Sequence, residues 1–205
     1  MNVEKYLKDP CRASSLPFWK TEYMEIPKQI SIYCEDEFSA EWCNGVDDPY
    51  FKLIHNLKHI RQVELFAPFE IIRCDIVDYV RHINECYAEG SISFDELYSY
   101  QLHPVFASEL WIAVWDSTNK KIVASGIGEM DIRLGEGILE WIQVSPKYRH
   151  RGLGQFIVCE LLQRMRGKAE FVTVSGRINN PDNPMALYRS CGFINPVIWH
   201  IVTRK

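Results

Sequence analysis

Residues 139–154 constrain this chain more than any other part of the sequence. They read Leu-Glu-Trp-Ile-Gln-Val-Ser-Pro-Lys-Tyr-Arg-His-Arg-Gly-Leu-Gly, which is an apolar strand, a turn and the start of a helix. The helix continues with a wide apolar face, as is typical of a helix that packs on a sheet. Backbone N–H groups at a helix start have no acceptor within the helix, and the helix dipole is positive there. The pattern therefore predicts a strand-turn-helix unit that binds an anion.

Three cations, Lys147, Arg149 and Arg151, lie within five residues in this turn. The chain as a whole has 205 residues and a formal net charge of −4, so the turn reverses the overall sign. The local reversal predicts a polyphosphate ligand, whereas the overall charge disfavours a nucleic-acid-binding protein. A dinucleotide fingerprint would need a third glycine where Ile157 stands, and the Gly-Lys-Ser/Thr of a P-loop is absent.

From Phe69 onward, periodicity and turn residues predict elements in the order β-α-α-β-β-β-α-β-α-β. Residues 75–87 are predicted to form the first helix of this series, and Gly90 is the residue predicted to stop it. The order predicts an α/β (α+β) fold with a mixed sheet. The break at Pro68 divides the chain into residues 1–68, an N-terminal extension packed on the core, and residues 69–205, the main domain.

The first 68 residues are irregular in pattern. Residues 23–26 and 30–34 are predicted to be short strands. Asp48 and Pro49 are predicted to open a helix, because apolar residues recur at near-helical spacing at Phe51, Ile54, Leu57 and Ile60. Aromatic residues make up 13% of the chain, and this part contributes Trp19, Tyr23 and Trp42. Two interpretations stay open for these three: packing of the extension, or lining of a substrate pocket.

The seven cysteines are widely spaced, and no Cys-x-x-Cys pair occurs. This spacing offers no ligand cluster for a metal and is typical of free thiols in a reducing cytosol. The longest apolar run, residues 110–115, is far shorter than the roughly 20 residues of a membrane-spanning helix. The first residues lack the layout of a signal peptide. We therefore expect a cytoplasmic protein with no membrane segment.

Two segments carry a family resemblance. The pattern Val144-x-Pro146-x-x-Arg149-x-x-Gly152-x-Gly154 resembles the acetyl-coenzyme-A signature of the GNAT superfamily of N-acetyltransferases. Residues 183–193, Asn-Pro-Met-Ala-Leu-Tyr-Arg-Ser-Cys-Gly-Phe, resemble the family's C-terminal motif, and their Leu-Tyr-x-x-x-Gly-Phe half matches in full. The element order from Phe69 also matches the GNAT layout. The resemblance covers roughly two thirds of the chain.

The resemblance implies the GNAT fold, a mixed, mostly antiparallel sheet flanked by helices. It also implies direct transfer of an acetyl group from acetyl-CoA to a primary amine in a ternary complex. The pyrophosphate of acetyl-CoA would bind the backbone of six consecutive residues: Arg149, His150, Arg151, Gly152, Leu153 and Gly154. Main-chain groups of Gln143 and Val144 would pair with the pantetheine arm. The acceptor would be a small-molecule amine or a peptide amine, with no metal and no nucleic acid; assembly as a homodimer is left open.

The resemblance also implies two catalytic residues. Tyr188 matches the family's usual general acid, which donates a hydrogen bond to the departing thiolate. Glu140 lies on the central strand, four residues before Val144 and on the same face by period two, and is the candidate general base. Three other residues remain candidate bases: Glu129, Asp131 and His103.

Asn183 has two interpretations. It matches the start of the C-terminal motif, which implies a cofactor contact. It also precedes Pro184, and Gly192 follows the predicted helix, so Asn183 fits an N-cap without any ligand. At the level of function two alternatives are kept: a non-catalytic domain that binds or senses acyl-CoA, and an acyltransferase that uses a longer acyl-CoA.

Overall fold

The computed structural model describes residues 1–87 and 92–204, with all side chains in these ranges except that of Trp42. Its helices are α1 (Val3–Lys8), α2 (Pro10–Ala13), α3 (Phe18–Tyr23), α4 (Ile76–Cys86), α5 (Phe94–Tyr100), α6 (Leu153–Met165) and α7 (Pro184–Ser190). Its strands are β1 (Ile30–Cys34), β2 (Gly45–His55), β3 (Phe69–Ile72), β4 (Phe106–Asp116), β5 (Lys121–Asp131), β6 (Glu136–Val144), β7 (Phe171–Arg177) and β8 (Ile194–Arg204). The helix predicted over residues 75–87 is confirmed as α4. Gly90, the residue predicted to stop it, and the side chain of Trp42, one of the three candidates for the pocket lining, lie outside what is described.

The chain forms two compact units, one of residues 1–56 with 173–205 and one of residues 57–172. The order of elements predicted from Phe69 onward is confirmed, because β3, α4, α5, β4, β5, β6, α6, β7, α7 and β8 follow one another as expected. The predicted class, a mixed α/β fold with mostly antiparallel strands and flanking helices, is also confirmed. The division at residue 68 stays a prediction.

In the unit of residues 57–172, four strands form an antiparallel meander in the order β6-β5-β4-β3. Helix α6 packs on one face, where the glycines of β5 and β6 leave room for it. A Cβ placed on Gly128 would lie 2.7 Å from Cε of Met165, closer than real Cβ atoms approach. Helices α4 and α5 cover the other face with an apolar cluster that includes Tyr79, Ile83 and Leu97. The two faces of this meander are therefore distinct, and both are buried.

In the other unit, β8 lies between β1 and β2 and is antiparallel to both. The predicted strand at residues 30–34 is confirmed as β1. The helix predicted from Asp48 onward is wrong, because residues 45–55 form β2 instead. The near-helical spacing of the apolar residues gave a wrong prediction because β2 is covered on both faces. Phe51, Lys52, Leu53 and His55 are all buried, so the alternation typical of a strand is absent.

Lys52 shows what the sequence pattern could not. It stands between apolar residues as a helix surface residue would, yet it is 1% exposed. Its ammonium donates hydrogen bonds to the carbonyl oxygens of Pro10, Ser14 and Leu16, at 3.0, 3.0 and 2.9 Å. A fourth contact, 3.2 Å long, reaches the Tyr6 hydroxyl. A buried ammonium is tolerated when it is hydrogen-bonded in this way, and here it joins the N-terminal segment to β2.

The strand predicted at residues 23–26 is also wrong. Tyr23 is the last residue of α3, and the N–H of Met24 donates to the carbonyl of Lys20 at 2.8 Å. Tyr23 is 62% exposed. Residues that favour strands do not form one here, because no strand in the described part of the chain pairs with them. Trp19 is 2% exposed and packs inside its unit, in agreement with the packing interpretation of this aromatic residue.

Candidate functional site

The turn between β6 and α6 begins as predicted and bends through two left-handed residues. Residues Pro146–Tyr148 form a single 3-10 turn, and Arg149 is extended. His150 then has a φ of 63° and Gly152 a φ of 80°. Gly152 occupies the N-cap position of α6, where it offers no side chain to the helix. The positive φ explains why glycine suits this position.

The start of α6 leaves backbone donors without helical acceptors. The first bond of the helix runs from the N–H of Phe156 to the carbonyl of Gly152, at 2.9 Å. The N–H groups of Gly152, Leu153 and Gly154 precede it and have no acceptor within the helix. A Cβ built on Gly152 would meet no atom within 4 Å, so the space over this residue is open. An anion has both donors and room at this point.

Cationic side chains lie in and beside the turn. Lys147 and Arg151 are exposed, as is His150, and the Arg151 guanidinium lies 5.0 Å from the ring centroid of Tyr148. The ammonium of Lys121, on β5, lies 4.9 Å from the same centroid. Sequence reasoning missed Lys121, because it lies far from the turn along the chain and only the tertiary structure brings it to this ring.

Tyr148 is the buried anchor of the turn. It is 6% exposed, and its hydroxyl donates to Oδ2 of Asp116 at 2.9 Å. Asp116 also accepts from the side-chain amide and the N–H of Asn119, at 2.7 and 3.0 Å, and from the N–H of Thr118, at 2.9 Å. These hydrogen bonds, those from Asn119 first, lower the pKa of Asp116 to about 2. Asp116 is therefore a carboxylate at neutral pH and holds both the β4–β5 turn and Tyr148.

Arg149 occupies the signature position, and its side chain is bonded to the protein. Its Nε donates to the carbonyl of Val144 at 3.3 Å, and Nη2 donates to the carbonyl of Cys86 at 3.4 Å. The guanidinium thus ties the turn to the end of β6 and to the last residue of α4. Gln143 is likewise turned inward; it is 5% exposed, and its amide donates to Oγ of Ser125.

The expectation that Glu140 and Val144 share a face is wrong. Two residues, Trp141 and Ile142, oppose the single residue Gly126 on β5, and Trp141 has a φ of 43°. This β-bulge adds one residue to the strand and reverses the alternation beyond it. Glu140 and Val144 therefore lie on opposite faces of the meander. The period-two argument failed because a bulge leaves no simple mark in a single sequence.

Glu140 is half-buried and lies on the face that α4 and α5 cover, since its partner Ile127 belongs to the apolar cluster there. Two of the other candidate bases are brought together. Nδ1 of His103 lies 3.4 Å from Oε1 of Glu129, which is 2% exposed. Asp131 instead receives hydrogen bonds from the backbone and the guanidinium of Arg133, at 3.0 to 3.3 Å.

The C-terminal motif lies in the unit of residues 1–56 and 173–205. Asn183 is the N-cap of α7, and its side chain accepts from the N–H of Ala186 at 3.3 Å, which confirms the capping interpretation. Tyr188 is 6% exposed. Its ring lies 6.1 Å from that of Phe51 and 5.7 Å from that of Phe193. The Leu-Tyr-x-x-x-Gly-Phe motif thus builds an aromatic contact between its own Tyr and Phe.

Each unit has a cavity among its described residues. One measures about 300 Å³ and includes Tyr33, Phe38 and Arg204 in its lining. The other measures about 170 Å³ and includes Tyr79 and Trp111. Neither of the two is lined by a predicted site residue. The candidate site at the turn before α6 thus lies outside these two cavities.

The chain matches a known family over part of its length. Residues 107–195 match the profile described as the acetyltransferase (GNAT) domain. This range includes the whole turn before α6 and the whole C-terminal motif. Among curated proteins, none matches the chain.

Solved structures share the fold. A GCN5-related N-acetyltransferase from Sphaerobacter thermophilus is 17% identical, with a TM-score of 0.63 over 77% of this chain and 52% of that one. A GNAT-family acetyltransferase from Colwellia psychrerythraea is 13% identical, with a TM-score of 0.62 over 98% and 72%. The ribosomal-protein-S18-alanine N-acetyltransferase from Escherichia coli is 21% identical, with a TM-score of 0.51 over 67% and 95%. This chain thus spans about half the length of the Sphaerobacter protein.

The fold and the matched residues relate this structure to the GNAT acetyltransferases. Residues 107–195 match the family's domain, and the solved GNAT structures named above share the fold of this chain. Within residues 1–87 and 92–204, no three His, Cys, Asp or Glu side chains converge as metal ligands would. None of the helices in these ranges combines the length and the apolar character that crossing a bilayer requires.

Proposed function

We propose that this protein is an N-acetyltransferase that transfers an acetyl group from acetyl-CoA to a primary amine. The observation that carries the proposal is the start of α6. N–H groups of Gly152, Leu153 and Gly154 have no helical acceptors there, the space over Gly152 is open, and Arg151 and Lys121 lie against the ring of Tyr148 in the same turn. This arrangement suits a pyrophosphate, which needs several donors and positive charge but little side-chain specificity.

The residues present fit acetyl-CoA in two ways. The backbone from His150 to Gly154 would hold the pyrophosphate, while Arg151, Lys147 and Lys121 would supply charge. Arg149 would act mainly through the turn, because its guanidinium already bonds two carbonyls. Main-chain pairing of Gln143 and Val144 with the pantetheine arm stays a prediction. When bound, acetyl-CoA would supply the thioester carbonyl that the amine attacks.

Proton transfer is the second part of the proposal. An alkyl ammonium has a pKa of about 10.4 and must lose a proton before it attacks. Glu140, half-buried on the α4 face, remains our candidate base, and the pair of His103 and Glu129 is its competitor. Tyr188 would donate a hydrogen bond to the thiolate as its charge develops.

The central experiment measures thiol release from acetyl-CoA with polyamines, amino acids, aminoglycosides and peptide N-termini as acceptors. Release with at least one amine, and acetylation of that amine, would support the proposal. Tight binding of acetyl-CoA without release on any acceptor would favour the non-catalytic alternative. Faster release from propionyl-CoA or succinyl-CoA would favour the longer acyl donor.

A second experiment separates the candidate bases. Rates of Glu140→Gln and Glu129→Gln are compared with the wild type over a range of pH. We expect Glu140→Gln to remove the acidic limb of the pH profile of kcat/KM while Glu129→Gln keeps it. The reverse result would assign the base to the pair of His103 and Glu129. A location in the cytoplasm also remains part of the proposal.

A further inference from the structure

A buried imidazole links α4 to the strands that lead into the candidate site. His82, on α4, is 2% exposed. Its Nδ1 lies 2.8 Å from Oγ of Ser125 on β5, and its Nε2 lies 3.1 Å from Oγ of Ser145, the residue that follows β6. The amide of Gln143 donates to the same Ser125 hydroxyl. Four buried polar side chains thus form one network under the end of β6.

A second link joins the same end of α4 to the far side of the turn. The carbonyl of Cys86, one helical turn after His82, accepts from the guanidinium of Arg149 at 3.4 Å. The thiol of Cys86 lies 3.5 Å from Nε2 of His82. The last turn of α4 therefore contacts the connection between β6 and α6 at Ser145, where it begins, and at Arg149, just before its two left-handed residues.

We propose that His82 is a positioning residue that holds Ser145, and with it residues 145–152, in the conformation that presents the first N–H groups of α6 to the acyl-CoA pyrophosphate. This inference rests on the proposed function for the identity of the ligand. It does not rest on that function for the effect of His82 on the turn, which can be measured in the free protein.

The chemistry of a neutral imidazole suits this role. It offers one donor and one acceptor on opposite sides of a rigid ring, and a hydroxyl can complete either one. His82 uses both nitrogens to bridge two hydroxyls on different elements, which an apolar side chain of similar size could not do. Burial, and to a lesser degree the charge of Lys121, lowers the pKa of His82 to about 4, whereas a hydrogen bond with the backbone of Val123 acts in the opposite direction. The bridge is therefore neutral at physiological pH.

The test compares three variants with the wild type. His82→Leu removes both hydrogen bonds, and His82→Gln keeps an amide that can donate and accept. Ile83→Ala is the matched control, because Ile83 is the neighbouring buried residue of α4 and packs in the apolar cluster without a bond to the turn. Amide hydrogen exchange of the free proteins and the Kd for CoA are measured at a temperature where all variants are folded.

We expect His82→Leu to raise the exchange rates of the three hydrogen-bonded amides of the turn, Ser145, Tyr148 and Arg149, at least ten-fold, with residues 157–162 of α6 unchanged. The Kd for CoA should rise at least ten-fold, and His82→Gln should recover part of both effects. Ile83→Ala should keep the Kd for CoA within two-fold of the wild type, even if its Tm falls as much as that of His82→Leu. If His82→Leu does not fold, Ser145→Ala removes one partner hydroxyl and takes its place.

Two results would overturn the inference. One is an unchanged exchange rate of the amides of residues 145, 148 and 149 in His82→Leu, or in Ser145→Ala. The other is a loss of CoA affinity in Ile83→Ala equal to that in the His82 variants, which would reduce His82 to a general contribution to stability. Failure of the wild type to bind CoA would instead contradict the proposed function, and the exchange rates would still decide whether His82 holds the turn.

Discussion

The hydroxyl of Tyr148 donates a 2.9 Å hydrogen bond to Oδ2 of Asp116, which joins the turn before α6 to the turn between β4 and β5. The ring of Tyr148 is at the same time the surface on which Arg151 and Lys121 rest. The buried side chain of Tyr148 thus positions two cations, Arg151 and Lys121, beside the turn that forms the candidate phosphate site. The site is built on the sheet as much as on the helix.

Tyr148→Phe should weaken CoA binding while the fold is retained. The substitution keeps the ring but removes a hydrogen bond to a carboxylate, which contributes about 1.5–3 kcal/mol. We expect a lower Tm and a roughly three- to ten-fold higher Kd for CoA, measured by calorimetry. Tyr98→Phe, at an exposed tyrosine of α5, is the control and should change neither. Equal affinities for Tyr148→Phe and the wild type would show that the anchor does not matter for binding.

Gly152→Ala and Gly167→Ala form a matched pair. Both glycines have a positive φ, 80° and 76°, and a Cβ on either would meet no atom within 4 Å. Each substitution should therefore lower the free energy of unfolding by a similar amount, about 1–2 kcal/mol, from backbone strain alone. Only Gly152→Ala should also raise the Kd for CoA, by an order of magnitude or more, because only this Cβ enters the proposed phosphate site. A parallel loss of affinity in both variants would count against that site.

The stability of the protein should decrease in acid because of His82. Its pKa is lowered from 6.5 to about 4, chiefly by burial, so the unfolded chain binds this proton more readily than the folded one. The contribution of this group to the free energy of unfolding is complete above pH 6.5 and is lost as the pH falls towards 4. At 1.36 kcal/mol per pKa unit, the loss is about 3 kcal/mol. Urea unfolding at several pH values should show a smaller acid loss in His82→Gln. Identical pH dependences would contradict the expectation.

Lys52→Met should release the N-terminal segment from β2. The ammonium donates to three carbonyls. Because the substitution leaves these buried carbonyls without their donor, the free energy of unfolding should fall by about 3–5 kcal/mol. Limited proteolysis should then cleave residues 6–16 faster than in the wild type. Lys28→Met, at an exposed lysine, should leave the cleavage rate unchanged. Protection of the segment in Lys52→Met would mean that apolar packing alone holds it.

Tyr188→Phe should slow the reaction without changing the fold. Its contacts with Phe51 and Phe193 are ring contacts, which phenylalanine retains. Loss of a hydrogen bond made to the developing thiolate should lower kcat roughly 10- to 100-fold and leave the Kd for acetyl-CoA unchanged. Tyr33→Phe serves as the control. An unchanged kcat would remove Tyr188 from the proposed role.

Several of these features could be predicted from the sequence. The strand-turn-helix unit at residues 139–154 was predictable because glycine, proline and a continuous apolar helix face are strong local signals. The cap at Asn183 was predictable for the same reason, since Asn, Pro and Gly each act within a few residues. The order of elements from Phe69 followed from the same short-range patterns.

The tertiary structure decided what depended on residues distant in sequence. It made β2 from a segment with helical spacing, because pairing with β8 and burial on both faces outweigh local periodicity. It moved Glu140 to the face opposite Val144 through a bulge. It placed Lys121 beside Tyr148 and His82 beneath Ser145, since contacts between elements depend on how the strands pair and the helices pack. The sequence by itself thus determined the turn, and only the folded chain determined what holds it in place.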